Sequence, residues 1–508
     1  DTIGGSVEIE TTSAFDRKTD LFTARVEGSY NDYSGEVTPK GSVDFSTRLT
    51  DSFGVSGGFS YYKRKFETDN IEAADWTTSE DGIVYAETME YRDYDVTRER
   101  ISGTLNADGR LSDFTTIFAR GTFSQFDDHE YRRRTTLIFD ENPASGTADS
   151  AFFTDADGEI QVRRDLKDRF ERQQIATQQI GIDHDDGVWK AHLSGSWARS
   201  SEREDFSVDP IRFRSKFDGD GVDVTMDYSD ERIPLYSVSG NTADFFDPDS
   251  YKFDKLELTT LSDSVDEEYA VKGDLARSFA TAGGEFALQG GFKGRWRDKS
   301  YNFNGTNYGD YNGSLKMGTL LGEQTYRLTD MGPVLDKYSP AEFFIANRNN
   351  FEIDQYETDL LSLPSDYSAE EDILAGYGLA RYDSDRLRVV GGVRVEDTKT
   401  TLNGQLVVDD GDDVTDVIPV SFDRDYTDWL PSLTIRFEPQ NNLVLRAAGY
   451  KSLVRPKLSK LAPIYTINED LEAEFGNPDL LPYRAWNADA SVEYYFDSKG
   501  AVTLGAFY

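Results

Sequence analysis

Apolar and polar side chains alternate along most of this chain. In residues 286–297, Phe286, Leu288, Phe292 and Trp296 fall on one side, and Gln289, Lys293, Arg295 and Arg297 on the other. Residues 387–396 repeat the pattern, with Leu387, Val389, Val393 and Val395 opposing Arg388, Arg394 and Glu396. Near the end, Ala488, Ala490, Val492, Tyr494 and Phe496 alternate with Asn487, Asp489, Ser491, Glu493 and Tyr495. A period of two predicts strands with one face away from water. Two further strands, 433–437 and 443–450, flank the turn Glu438-Pro439-Gln440-Asn441-Asn442. Residues 21–33 and 40–49 make a first pair. After the tight turn Thr50-Asp51-Ser52-Phe53-Gly54, Phe53, Val55, Phe59 and Tyr61 alternate with Gly54, Ser56, Gly58 and Ser60. About fifteen such strands are expected.

The spacing between strands is uneven in a regular way. Short turns are expected at 108–113, 185–187, 281–284, 383–386, 438–442 and 497–500. Long polar stretches occupy 67–90, 127–170, 205–264, 300–370, 402–424 and 455–482. Short turns alternating with long loops mark an outer-membrane barrel, and a soluble sandwich gives no reason to sort loops by length. Arg and Lys on an inner strand face are costly in a dry core. They are tolerated where that face lines a wet lumen. The expected fold is therefore all-β, a large antiparallel transmembrane β-barrel. Lys293, Arg295 and Arg297 are expected to face the lumen, and Phe292 and Trp296 the lipid.

Composition is compatible with this. The 508 residues include 32 Phe, 28 Tyr and 42 Gly, too aromatic for a disordered chain. No run approaches the ~18 apolar residues of a membrane helix, which leaves a barrel open. With no cysteine, disulfides and CxxC sites are excluded. The net charge of -40 argues against a nucleic-acid partner. It suits contact with cations, or simply long solvated loops. The sequence starts at Asp1 without a signal peptide, so a targeting segment has been removed or the chain is a piece of a longer one.

Residues 429–496 carry a resemblance. The matching pieces are Leu430-Pro431-Ser432-Leu433, Arg446 to Tyr450, Arg455-Pro456, and Gly476-Asn477-Pro478-Asp479-Leu480 followed by Pro482, then Glu493-Tyr494-Tyr495-Phe496. This stretch resembles the barrel of TonB-dependent outer-membrane receptors, with Leu481-Pro482-Tyr483 where the family usually shows Lys-Pro-Glu. Residues 3–11 resemble the last plug strand of such receptors. The resemblance implies a barrel of the 22-stranded type, incomplete here, with 1–16 ending a plug and its linker and 17–508 forming barrel. It implies residence in the bacterial outer membrane. It also implies active uptake of a scarce nutrient, an oligosaccharide or siderophore-like ligand, caught by outer loops and passed through the lumen. The partners implied are the TonB–ExbB–ExbD complex, reached through an absent N-terminal region, outer-membrane lipid and the ligand. A passive porin-like channel, or a secreted β-rich glycan-binding protein or enzyme, stays open as an alternative. Arg455, Pro456, Gly476, Asn477, Pro478, Leu480 and Pro482 read as structural, setting the turns of one loop.

Candidate chemistry is sparse. HExxH and P-loop motifs are absent, the spacing Gly54-Val55-Ser56-Gly57-Gly58 falls inside an expected strand and makes no GxSxG elbow, and no enzyme or cofactor is expected. His129, His184 and His192 are too scattered to suggest a metal trio. Three acidic patches could take calcium: 155–159, 218–223 and 409–413. In the first, Phe153 and Arg164 occupy ligand positions that want carboxylates, so solvated loop tips are the preferred reading. Asn304-Gly305-Thr306 and Asn312-Gly313-Ser314 match the glycosylation sequon and are read instead as Asn-Gly turns. Trp76, Phe245, Phe246, Tyr251, Tyr301, Tyr308 and Tyr311 are candidate ligand contacts, since rings beside Asp and Asn suit sugar stacking. The competing reading is loop packing or an aromatic girdle.

Overall fold

The computed structural model describes residues 11–409, 411, 413–467, 473–496 and 500–508. The expected strand at 3–11 (except Thr11), the turn at 497–500 (except Gly500), and Asp410 and Asp412 of the third acidic patch lie outside these residues. One continuous antiparallel sheet forms a wall in which each strand pairs with its neighbours in chain order. Its strands are β1 (Leu21–Tyr30), β2 (Val37–Arg48), β3 (Phe53–Thr78), β4 (Val84–Ser112) and β5 (Thr115–Phe139). There follow β6 (Ile160–Asp185), β7 (Trp189–Phe217), β8 (Lys252–Thr281), β9 (Gly284–Tyr311) and β10 (Tyr367–Asp383). The last are β11 (Leu387–Asp409), β12 (Val414–Gln440), β13 (Leu443–Val454), β14 (Tyr483–Tyr495) and β15 (Ala501–Phe507). A short strand, Phe351–Asp354, pairs with the top of β9.

The wall is not closed. Among the described residues β1 pairs only with β2, and β15 only with β14. The short turns fall at one end, as expected. At one of them Asp185 and Asp186 accept from the N–H groups of Gly187, Val188 and Trp189, and Gly187 takes φ +82. That left-handed conformation suits a residue without Cβ.

The opposite end corrects the sequence reading. The strands are far longer than expected: β4 has 29 residues and β8 has 30, against the ~9–11 that cross a bilayer. Most of 67–90 is therefore ladder, with the β3–β4 tip at Ser79–Ile83. Upper strand ends likewise fill much of 127–170, 205–264 and 402–424. A strand beyond the membrane has no lipid to face, so its residues turn polar on both sides and read as loop. Asn304-Gly305 is also not a turn, because it continues β9 opposite Leu261 and Thr259. Asn312-Gly313 does turn the chain, just past the end of β9.

A second layer covers part of the upper wall. A four-stranded sheet (Ser145–Thr147, Ser150–Thr154, Val222–Asp227, Leu235–Gly240) and residues 312–350, including the helix Ser339–Asn347, pack on β4–β9. Their core includes Tyr91, Leu137, Phe153, Ile211, Phe213, Met317, Met331 and Phe344.

Candidate lumen and ligand residues

Alternation gives the wall two chemically distinct faces. On β9, Phe292 and Trp296 are 52% and 40% exposed on one side. Leu105, Phe123, Leu193, Leu275 and Leu288 are similarly exposed. A shallow hollow on this apolar side is lined by Leu275, Phe279, Leu288, Gly290, Gly378 and Gly392. Such a surface packs against acyl chains rather than holding a polar ligand.

The other face is charged and internally paired. Asp108, buried, meets Arg120 at 2.5 Å. Arg295 donates to Glu268 at 2.5 Å, and Arg297 to Asp266 at 2.8 and 2.5 Å. Lys293, Arg295 and Arg297 thus share one face, and Lys293 and Arg295 join Arg394, Glu396 and Arg455 around a small recess. The segment after Thr11 lies on this same face. Ser56 Oγ donates to the Thr12 carbonyl at 2.7 Å, Ala14 is buried, and Arg110 stacks 3.9 Å over the Phe15 ring.

Higher up, the charged face carries Arg134 and Arg212 clamped on Asp165. Asp165 accepts from Arg134 Nη2 at 2.5 Å and from Arg212 Nε at 3.0 Å, and all three are buried. Burial alone would raise the Asp165 carboxyl, but the two guanidiniums outweigh it and hold it well below the usual range.

The second layer sits on the opposite side. Arg133, Thr135 and Leu137 share the β5 face that carries Phe123 lower down, on an unbroken register. Arg133 Nε donates to the Leu335 carbonyl at 3.0 Å and Thr135 Oγ1 to that of Met331 at 3.1 Å. Thr325 donates to Asp93 through its N–H and hydroxyl, at 3.0 and 2.8 Å. Residues 312–350 therefore cover the continuation of the apolar face and leave the charged face open.

This decides where the aromatic candidates go. Phe245, Tyr251 and Tyr308 are fully buried in that core and Tyr311 packs against it. Tyr251 accepts from the buried Arg164 and donates to the Phe245 carbonyl. Nearby, burial pushes the Tyr236 hydroxyl up to about 12, with Arg164 opposing. Phe246 is 39% exposed beside Phe245, and Trp76 is half exposed against Tyr228. Only Tyr301 of the seven stands on the charged face, stacked on Phe303 and tilted against Tyr367. Phe303 and Tyr367 were missed in the sequence because nothing local distinguishes them from other strand aromatics.

The remaining candidates resolve as structural. Arg455 donates to Glu396 at 2.6 Å and to Thr398 at 2.9 Å. Arg424 donates to the carbonyls of Pro478 and Leu480 at 2.6 and 2.7 Å, fastening the loop of Gly476, Asn477, Pro478, Leu480 and Pro482 to β12. Neither Glu396 nor Arg424 was legible as a partner in the sequence, since each is brought in from another strand. The three histidines bond separately: His129 to Asp168, His184 to Thr115 and His192 to Asp183. Two acidic patches meet, but as a hydrogen-bonded turn. The Asp155 carboxylate accepts from the N–H groups of Asp220, Gly221 and Val222 at 2.9, 3.1 and 2.9 Å. Phe153 and Arg164, beside the first patch, are both core residues.

Comparison with known proteins follows from this geometry. The family described as TonB dependent receptor-like, beta-barrel matches residues 191–508, more than half of the chain. No curated protein sequence matches. The ferric-catecholate import receptor Fiu from K12 E. coli, in its closed form, is 11% identical over 96% of this chain and 58% of its own, with a TM-score of 0.49. Its open form is 10% identical over 95% and 58%, at 0.47. The siderophore receptor PiuA from Acinetobacter baumannii is 10% identical over 96% and 77%, at 0.19. The chain thus spans 58% of the length of the Fiu receptor. On the family match, the chain belongs to the TonB dependent receptor-like β-barrels of the outer membrane.

Proposed function

We propose that the protein takes up a scarce small ligand across the outer membrane, oligosaccharide or siderophore-like, with energy from a TonB–ExbB–ExbD complex. The observation that carries this reading is the two-faced wall. One side is an apolar surface fit for lipid. The other is a charged face, left uncovered by residues 312–350 and covered in part by Leu458 and Leu461 packed on Ala369 and Leu402, along which a polar ligand can pass. Tyr301 and Phe303, half-buried and backed by the buried Tyr367, offer ring surface at its upper end. In this reading the 312–350 segment braces the extracellular wall from outside and is no gate.

The test is transport by the full-length receptor in an outer membrane. Uptake of labelled maltodextrins and of a ferric catecholate is measured with and without TonB. Accumulation of one of them that stops when TonB is deleted or the inner membrane is uncoupled is the expected result. Entry that continues unchanged would make the protein a passive channel.

A further inference from the structure

The recess beside Lys293 is short of negative charge. Its lining holds four cations, Lys293, Arg295, Arg394 and Arg455, with Ile373 and one carboxylate, Glu396. Glu396 is 1% exposed and both its oxygens are taken, one by Arg394 Nε at 2.6 Å and the other by Arg455 Nη2 at 2.6 Å. Arg295 turns to Glu268 on the neighbouring strand. No carboxylate lies within ion-pair distance of Lys293 among the described residues. The Nε groups of Arg295 and Arg455 are buried without a hydrogen-bond partner there. In a chain of net charge -40, this is an excess of cations where like charges repel and unmet donors cost free energy.

We infer that this recess is an oxyanion site inside the channel, filled by a carboxylate or phosphate group that lies over Lys293 and the free guanidinium edges. Each cation would then gain a charge-assisted hydrogen bond. The enclosed space is about 10 Å³, roughly what one water needs, so the anionic group docks at the mouth. The strand positions fall within about ten residues of the short-turn end, the length that crosses a bilayer. Calling this place the lumen rests on the uptake reading above. The anion has two possible sources. It is a group on a molecule passing through, or an Asp or Glu of the receptor's own chain held inside the barrel.

The test uses the full-length receptor in detergent, with pyrophosphate as probe and titration calorimetry as readout. Lys293→Gln removes the charge that has no ion-pair partner, so it leaves the Glu396 pairs intact. If the anion comes from solution, pyrophosphate binds, Lys293→Gln weakens it at least tenfold and Lys293→Arg restores it. If it comes from the chain, pyrophosphate does not bind, and carbodiimide joins Lys293 Nζ to a carboxylate other than 268 or 396, identified by peptide mass. Binding indifferent to Lys293→Gln, or neither binding nor a cross-link, overturns the proposal. Neither measurement involves energised transport, so its failure leaves the uptake reading standing.

Discussion

Asp165 shows how a single residue is constrained here. It is fully buried between two guanidiniums on adjacent strands, so removing its charge takes a shared carboxylate from Arg134 and Arg212 in a low-dielectric site, although Arg134 keeps Glu90 at 3.1 Å. Breaking a buried pair of this kind costs about 3–5 kcal/mol. Asp165→Asn should therefore lower the unfolding free energy of the detergent-solubilised receptor by that amount at pH 7, measured by urea titration. The pH dependence follows from the sign of the shift. The folded carboxyl is depressed, so its contribution is complete above the unfolded value of about 3.9. It is lost only as pH falls below that value and through the folded one. The deficit of the variant should thus persist down to about pH 4 and shrink only in stronger acid. A deficit that vanishes between pH 7 and 5 would contradict the clamp. Glu396 plays a comparable part lower on the same face, joining β11 to Arg455, which follows β13.

At the scale of elements, β9 carries both surfaces of the wall in one strand. A shift of one residue in its pairing with β8 would exchange them completely. The register places Trp296 opposite Tyr269 and Arg297 opposite Glu268. Cysteine at 296 should react with a lipid-soluble maleimide and resist a charged one, and cysteine at 297 should do the reverse. Labelling of 296 by the charged reagent alone would show that the faces are inverted. The upper part of the same strand is as structural as the lower. Residues 301–311 lie in the polar stretch 300–370 that the sequence marks as loop, but they continue the ladder and insert Tyr308 into the core. Their removal would cut the wall rather than trim a loop.

For the whole molecule, the open edges decide most. Backbone groups on an unpaired strand in lipid cost several kcal/mol each. We propose that further strands cover β1 and β15 in the working receptor, as expected of a barrel of the larger type. Val26 and Leu504 point away from the sheet on these two edge strands, 91% and 73% exposed. Cysteines placed at both positions in the full-length receptor should form no disulfide under mild oxidation, because other strands intervene. An intramolecular disulfide in good yield would show that the two strands meet in a smaller closed barrel.

The sequence by itself determined the period-two strands, their number, the end at which they turn tightly and the alternation that gives the wall two faces. Each follows from short-range rules: side chains alternate along a strand, and Gly, Asn, Asp and Pro turn a chain. Those rules made Lys293, Arg295 and Arg297 legible as one face, and the motif residues from Arg455 to Pro482 legible as structure. The rules could not say how far strands run past the bilayer, because beyond it neither face needs to be apolar and polar ladder resembles loop. Nor could they say which aromatics stay free. Phe245, Tyr251 and Tyr308 look like loop rings in sequence, yet burial against Arg164, Phe217 and Phe344 took them out of solvent. The cation-rich recess is likewise a tertiary fact. Lys293, Arg394 and Arg455 are far apart in the chain, and only strand register brings their charges together around Glu396.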